Sequence, residues 1–433
     1  MSHITSSNRV RQSGRLATVL DIGTTKTSCI MFGIENVHAR PGSDGASVAV
    51  DILGAAHQRS QGIKAGVVAD MDAVEATIKS VVGEVENQAD LEVADLILSV
   101  SCGRLRSDNF RATTPLEGKC VSGDDIQRLT NAGRSYAERN GRVLVHTNRV
   151  SFSLDDERGI DDPVGMSGGK LAQELHMVSA DAGPLKNLLL TAERSFFNVE
   201  GLVPSAYASA DAVLSSEEKK LGVIAVDLGG GTSSFAVYAD GHFIHIDSIT
   251  LGGDHITYDI ARALSTPLQE AERIKTLYGT VINASSDECE MVAYRSINDR
   301  GNRPQTISKA SLGRIIRPRV EEILQRISER LAECQLSDYA GDRVVLTGGG
   351  CQLQGMAEFS AHFLGRSVRL GSPMMTENLP EGMHGPAFSS VIGQLRLTAA
   401  HGDDMNSGCQ FGSVQNQTNG YLSNVGNWLR ESF

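Results

Sequence analysis

Apolar positions along this chain gather into short runs that stop at glycine clusters, and one such pattern occurs twice. Val223-Ile224-Ala225-Val226 ends on Asp227, Gly229-Gly230-Gly231-Thr232 follow, and Phe235, Val237 and Tyr238 continue a second run. Strand signals on both sides of a glycine turn predict a β-hairpin. Leu16 to Phe32 repeats the plan with an apolar strand, Asp21, Gly23-Thr24-Thr25-Lys26, and an alternating strand through Thr27, Cys29 and Met31. Asp21 and Asp227 thus fall one in each half of the chain. A third glycine cluster, Gly348-Gly349-Gly350, follows a strand at Val344–Leu346 and leads into a predicted helix at Gln352–Phe363.

Between these landmarks the periodicity predicts a strand near 48–53 and a helix near 71–85, with Val74, Ile78, Val81 and Val85 on one side. Strand signals at 94–100 and 143–153 surround a helical stretch at 123–140, which Asp124 and Asp125 can cap. Helices follow at 184–196 and 204–215, then at 257–264, 267–278, 312–336 and 388–399. From His401 to Asn419 the chain is polar and aperiodic, a flexible linker by composition. The last stretch, 420–433, places Tyr421, Leu422, Val425, Trp428, Leu429 and Phe433 on one helical stripe. A helix so short is marginal in water. It is expected to fold on a lipid interface, where Trp and Phe suit the headgroup boundary; a helix docked back on the core is the other reading. Residues 1–15 are polar and aperiodic and read as a disordered tail.

Composition adds exclusions. A formal charge of −12 argues against nucleic acid or a polybasic membrane mode. The seven cysteines form no CxxC pair, so neither a disulfide framework nor a zinc site is expected from spacing, and a reducing cytosol is the expected compartment. No apolar run is long enough to span a bilayer.

The two hairpin tips carry the candidate chemistry. Glycines let backbone N–H groups approach a ligand, a threonine adds a hydroxyl, and a strand-end carboxylate can hold a Mg²⁺-bound water. One such loop is equally a tight turn with a solvated aspartate. Three glycine turns in this order point to a nucleotide held between two halves. Asp21 and Asp227 are the candidate metal residues. Gly23, Thr24, Thr25, Lys26, Gly229, Gly230, Gly231 and Thr232 are the candidate phosphate contacts, and Gly348, Gly349 and Gly350 would flank the adenosine.

These motifs, DIGTT, DLGGGT and TGGG, resemble those of the actin, heat-shock-chaperone and sugar-kinase superfamily. Within it the chain resembles the FtsA family of bacterial cell division proteins, through VSCGRLRSDNF (100–110), PLKNLLLTAER (184–194), SAYASADAVL (205–214), EAERIKTLYG (270–279) and GRIIRPRVEEIL (313–324). The resemblance implies an α/β, actin-like fold, a duplicated ribonuclease H-like core with an inserted αβ subdomain and a C-terminal amphipathic helix. It implies one subdomain from 16–90, 176–214 and 386–399, and an insert at 91–175. A second subdomain comes from 215–255 and 337–385, a third from 256–336, then a linker at 400–419 and the helix at 420–433. It further implies ATP and Mg²⁺ as ligands and a ribose contact from Glu272 and Lys275, which pattern alone reads as a surface ion pair. Arg319 and Glu322 would contact the C-terminal peptide of the division tubulin FtsZ, although a charged helix face is ordinarily just solvated. Self-association into filaments, later division partners and a place on the cytoplasmic face of the inner membrane at the septum are also implied. Superfamily hydrolases place a Glu or Gln near the start of the 204–215 helix to orient water; here Val203-Pro204-Ser205 stands there, so slow ATP hydrolysis or none is expected. The alternative is an ATP-dependent sugar-type kinase with the same clamp.

Overall fold

The computed structural model describes residues 15–35, 49–282, 284–297, 304–334, 341–374, 379–400 and 409–411. Of the tail expected at 1–15 only Arg15 is described, and it is the first residue of a strand rather than part of a tail; the amphipathic stripe at 420–433 lies outside the described residues.

The first hairpin forms as expected from β1 (Arg15–Ile22) and β2 (Lys26–Glu35), and β3 (Ala49–Arg59) extends it antiparallel. A short hairpin, β4 (Ile63–Lys64) and β5 (Val67–Val68), leads to α1 (Met71–Ala89), whose N-terminus is capped by the Asp70 carboxylate. β6 (Asp95–Val100) was expected in the insert; it instead pairs in parallel with β1.

The insert proper opens with β7 (Arg106–Pro115), then α2 (Gly123–Ala137), β8 (Arg142–Leu154), β9 (Glu157–Ile160) and β10 (Lys170–Asp181). The cap of α2 is Ser122 rather than Asp124 or Asp125, and Asp125 sits at the third helical position to close a capping box. α3 (Ala182–Arg194) and β11 (Asn198–Pro204) return to the first sheet, where β11 pairs in parallel with β6. α4 (Ser205–Val213) and the short α5 (Ser216–Leu221) then lead out of this half.

The second half repeats the first. β12 (Val223–Leu228), β13 (Ser233–Ala239) and β14 (His242–Ile249) are antiparallel neighbours. α6 (Gly253–Leu264), α7 (Leu268–Tyr278), the ribbon β15 (Met291–Tyr294) and β16 (Gln305–Ser308), and α8 (Lys309–Glu333) follow. Then β17 (Arg343–Thr347) pairs in parallel with β12, α9 (Met356–Leu364) crosses over, and β18 (Ser367–Leu370) pairs with β17. The helix after the third glycine cluster starts at Met356, not Gln352. Residues 349–352 form a single 3₁₀ turn, and Gly355 takes a left-handed conformation before the helix. α10 (Ser389–Ala400) returns to the first half. β19 (Cys409–Phe411) lies within the stretch expected as a flexible linker, yet it pairs antiparallel with β8 of the insert.

The duplication is visible in strand order. One sheet runs β11-β6-β1-β2-β3, the other β18-β17-β12-β13-β14, and each has three antiparallel strands followed by two parallel ones. The unbroken apolar run of β12 follows from burial on both faces. Val223 and Ala225 pack into the core that contains the first sheet, while Ile224, Val226 and Leu228 pack into the core of the second half. α4 lies between the sheets, buried almost all round, and meets α10 so closely that a Cβ on Gly393 would stand 1.7 Å from the Ala208 carbonyl oxygen. That contact explains the run of small residues in SAYASADAVL.

Candidate functional site

The hairpin tips converge because β1 and β12 each carry an aspartate as the last-but-one residue before a glycine turn, and the two sheets face each other across α4. The tips touch. A Cβ on Gly230 would lie 2.4 Å from Thr25 Cγ2, and one on Gly231 would lie 2.5 Å from Thr24 Oγ1. Only glycine permits this approach.

Behind the tips is a cleft of about 370 Å³, within the size of ordinary small-molecule sites. Asp21, Gly23, Thr24, Thr25 and Lys26 line it from the first hairpin, and Asp227, Gly229, Gly230 and Thr232 from the second. Gly348, Gly349 and Gly350 form the third side, with Glu272 and Lys275 of α7 above them. Gly231 does not line the cleft. It turns toward Thr24 and Ala65 at the contact between tips, so its part is to let the halves meet.

The electrostatics turn on two buried carboxylates and one lysine. Desolvation raises the pKa of Asp21, against hydrogen bonds from Ser99 and Ser390 (3.0 Å) and the charge of Lys26. Desolvation also raises Asp227, to about 6, with Asp21 adding to the rise; a 2.5 Å bond from Ser209 and the Lys26 charge oppose it. Lys26 is lowered to about 8 by its own burial, although both aspartates act to keep it charged. Its ammonium donates to the Ala387 carbonyl and stands 3.1 Å from the centre of the Phe388 ring. Two desolvated carboxylates sharing one cation form a place where a divalent ion is favoured. The residues present therefore fit Mg²⁺.

At the other end of the cleft, Lys275 pairs with Glu272 at 2.7 Å and donates to Thr257 Oγ1 at 2.9 Å, and Thr257 donates to Glu272 at 2.5 Å. Burial alone would raise the Glu272 pKa, but Lys275 and these bonds hold it lowered. Ser205, at the start of α4, lines the cleft where a water-orienting carboxylate or amide would stand.

Sequence reasoning missed Ser99, Ser209 and Ser390, the three hydroxyls bonded to the aspartates. It also missed Asp254, a cleft residue whose pKa is raised by burial against the pull of Lys275. Arg319 and Glu322 lie outside the cleft on α8. There Arg319 bonds Asp259 of α6 at 2.7 and 3.1 Å as well as Glu322, so its guanidinium is already committed.

Residues 224–393 match the family model described as cell division protein FtsA, and residues 102–179 match that of the SHS2 domain inserted in it. A cell division protein FtsA of Agrobacterium fabrum strain C58 is 39% identical over 421 residues, 96% of this chain and 95% of the relative. Among solved structures, the PilM-PilN type IV pilus biogenesis complex matches with a TM-score of 0.59 at 17% identity, over 89% of this chain and 98% of that one. MreB5 of Spiroplasma citri bound to ADP matches with a TM-score of 0.51 at 13% identity, over 89% of this chain and 96% of that one. These likenesses establish the actin-like fold.

Proposed function

The chain belongs to the FtsA family of cell division proteins, and on that premise we propose that it binds a magnesium–adenine nucleotide between its halves and acts as a self-assembling membrane adaptor for the FtsZ ring. The observation that carries the nucleotide reading is the convergence of Asp21, Asp227 and three glycine turns on one cleft. Asp21 and Asp227 would hold the Mg²⁺, which supplies charge neutralisation for the phosphates. The backbone of Gly23–Thr25 and Gly229–Thr232 would cradle those phosphates, and Lys26 would meet their charge. Gly348–Gly350 would flank the adenosine, with Glu272 and Lys275 at the ribose.

Because ligand would touch both halves at once, occupancy biases their closure and thereby the surfaces presented for assembly. The cleft offers only the Ser205 hydroxyl at the start of α4, so turnover is expected to be slow or absent. The stripe at 420–433 would grip lipid at the cytoplasmic face of the inner membrane, α8 would meet the FtsZ C-terminal peptide, and the insert would receive filament neighbours and later division proteins. Among the described residues no helix is long and apolar enough to cross a membrane. The sugar-kinase alternative gives way, since a relative over 96% of the chain is a cell division protein.

The test is titration of the protein with ATP, with and without Mg²⁺, for the parent and for D21A and D227A. Micromolar binding that needs Mg²⁺ and is lost in both variants supports the reading; affinity that neither magnesium nor the aspartates affect would remove it.

A further inference from the structure

On the far side of the second sheet, His245, Asp247 and Cys334 place an imidazole nitrogen, a carboxylate oxygen and a thiol sulfur within 4.8 Å of one another. His245 and Asp247 lie two apart on β14, so their side chains share one face of the strand. Cys334 is the C-cap of α8, which packs across that face. The trio lies at the wall of a groove of about 920 Å³ between β14, α8 and the start of the insert at Arg104–Ser107.

We propose that this trio is a three-ligand site for a borderline-soft dication of the zinc class, with its fourth position open to the groove. The donor set decides the class. Thiolate and imidazole select Zn²⁺ or Co²⁺ over Mg²⁺ and Ca²⁺, which take oxygen ligands. The spacing agrees. Bonds of about 2.0–2.3 Å at the tetrahedral angle set neighbouring donors about 3.3–3.8 Å apart, and Cys334 Sγ already stands 3.3 Å from His245 Nε2. Closing Asp247 onto the ion from within 4.8 Å requires a shift of at most about 1–1.5 Å on the same scale.

The charges around the site explain why the ion must compete. Arg330 stands 2.7 Å from the Asp247 carboxylate and 2.9 Å from Glu333, and the Ser248 N–H donates to the other Asp247 oxygen at 2.7 Å. The guanidinium thus occupies part of the place that a dication would take. Half-exposed, it keeps Glu333 as a partner when it yields Asp247. Burial, aided by Arg330, lowers the His245 pKa to about 4, so the imidazole is already the neutral ligand form. Burial raises Cys334. Binding therefore releases one proton: Zn²⁺ and the thiol give a zinc thiolate and H⁺.

The experiment uses the full chain with Cys120, Cys289 and Cys409 replaced by Ser, titrated with Co²⁺ and, against a chromophoric chelator, with Zn²⁺. The expected result is one ion per chain with a thiolate-to-cobalt charge-transfer band. C334S abolishes the band, H245Q weakens binding by about tenfold or more, and R330Q tightens it by about tenfold because the competing cation is gone. No band in the parent, or a band that C334S leaves in place, overturns the assignment. Should C334S fail to fold, an affinity unchanged in H245Q overturns it equally.

Discussion

Ser209 and Asp227 join the two halves of the molecule: the hydroxyl of Ser209, on α4 between the sheets, donates at 2.5 Å to Oδ2 of the aspartate near the end of β12 in the second. The bond holds the Asp227 carboxyl below where desolvation would leave it. Hydrogen bonds to charged groups contribute about 1.5–3 kcal/mol, so removing this one has a measurable cost. S209A is expected to weaken Mg–ATP binding about tenfold at neutral pH, with part of the loss recovered as pH rises. Calorimetric titration at two pH values checks this, and equal affinity for parent and variant at both would contradict it.

A second prediction concerns pH itself. Asp227 has a folded-state pKa of about 6 against an ordinary 3.8, mainly through burial. A carboxyl raised in this way contributes stability that is present below 3.8 and is lost as pH rises through about 6. Nucleotide affinity should run the other way, because the metal needs the carboxylate. Mg–ATP binding is therefore expected to fall as pH drops through about 6, while the ligand-free protein gains stability relative to D227N over the same window. Thermal unfolding of both proteins across that range, with and without nucleotide, reads both slopes.

Which parts of this site were legible in the sequence follows from how local each signal is. An aspartate near the end of an apolar run, then glycines and threonine, is a pattern within a dozen residues, so both tips could be named beforehand. Gly231 could not be separated from Gly230, since facing the cleft or the opposite tip is decided by how the sheets meet. The three serines carried no signal. Ser390 reaches Asp21 across 369 positions and Ser99 across 78, and a serine inside an apolar stretch looks like any core residue. β7 escaped because it is half exposed and polar, and β11 because Gly201 and Pro204 read as turn residues. β6 was misplaced because parallel pairing leaves no mark in the local pattern.

The third glycine turn can be tested by one methyl group. Gly348 has φ +82°, and a Cβ there would lie 2.2 Å from Asp227 Oδ1 and 2.7 Å from the Leu228 carbonyl oxygen. G348A adds left-handed strain to a collision with the proposed metal ligand, destabilising by about 1–3 kcal/mol. Mg–ATP affinity should be lost even where most of the protein remains folded. G83A, on α1 and away from the cleft, is the control, because a Cβ there meets nothing within 4 Å. Similar affinity in the two variants would argue against Gly348 flanking the nucleotide.

The C-terminal stripe holds Trp428, the chain's single tryptophan, and so reports on its own environment. Insertion into a lipid interface should shift its emission to the blue on addition of vesicles. One short helix with Arg430 beside Glu431 gains little from anionic lipid, so binding should depend on several tails acting together. Removal of residues 420–433 is expected to abolish vesicle flotation, and Mg–ATP to strengthen flotation of the full chain. Undiminished flotation of the truncated protein would place the lipid contact elsewhere.

The proposed FtsZ contact at Arg319 needs a variant that separates binding from folding. Reversing Arg319 alone leaves Asp259, Glu322 and the new carboxylate crowded at the junction of α6 and α8, because Arg319 now bridges both acids. R319E should therefore destabilise this part of the structure whatever its role in binding, and loss of partner affinity in it would decide nothing. The exchanged pair D259R/R319E restores an ion pair between the two helices while presenting the opposite charge at position 319. If Arg319 contacts the FtsZ C-terminal peptide, the exchanged variant should regain most of the thermal stability lost in R319E and still bind the peptide at least about tenfold more weakly than the parent. Recovery of both stability and binding would show that Arg319 acts only by fastening α6 to α8, and the contact would then have to be sought among other residues on the exposed face of α8.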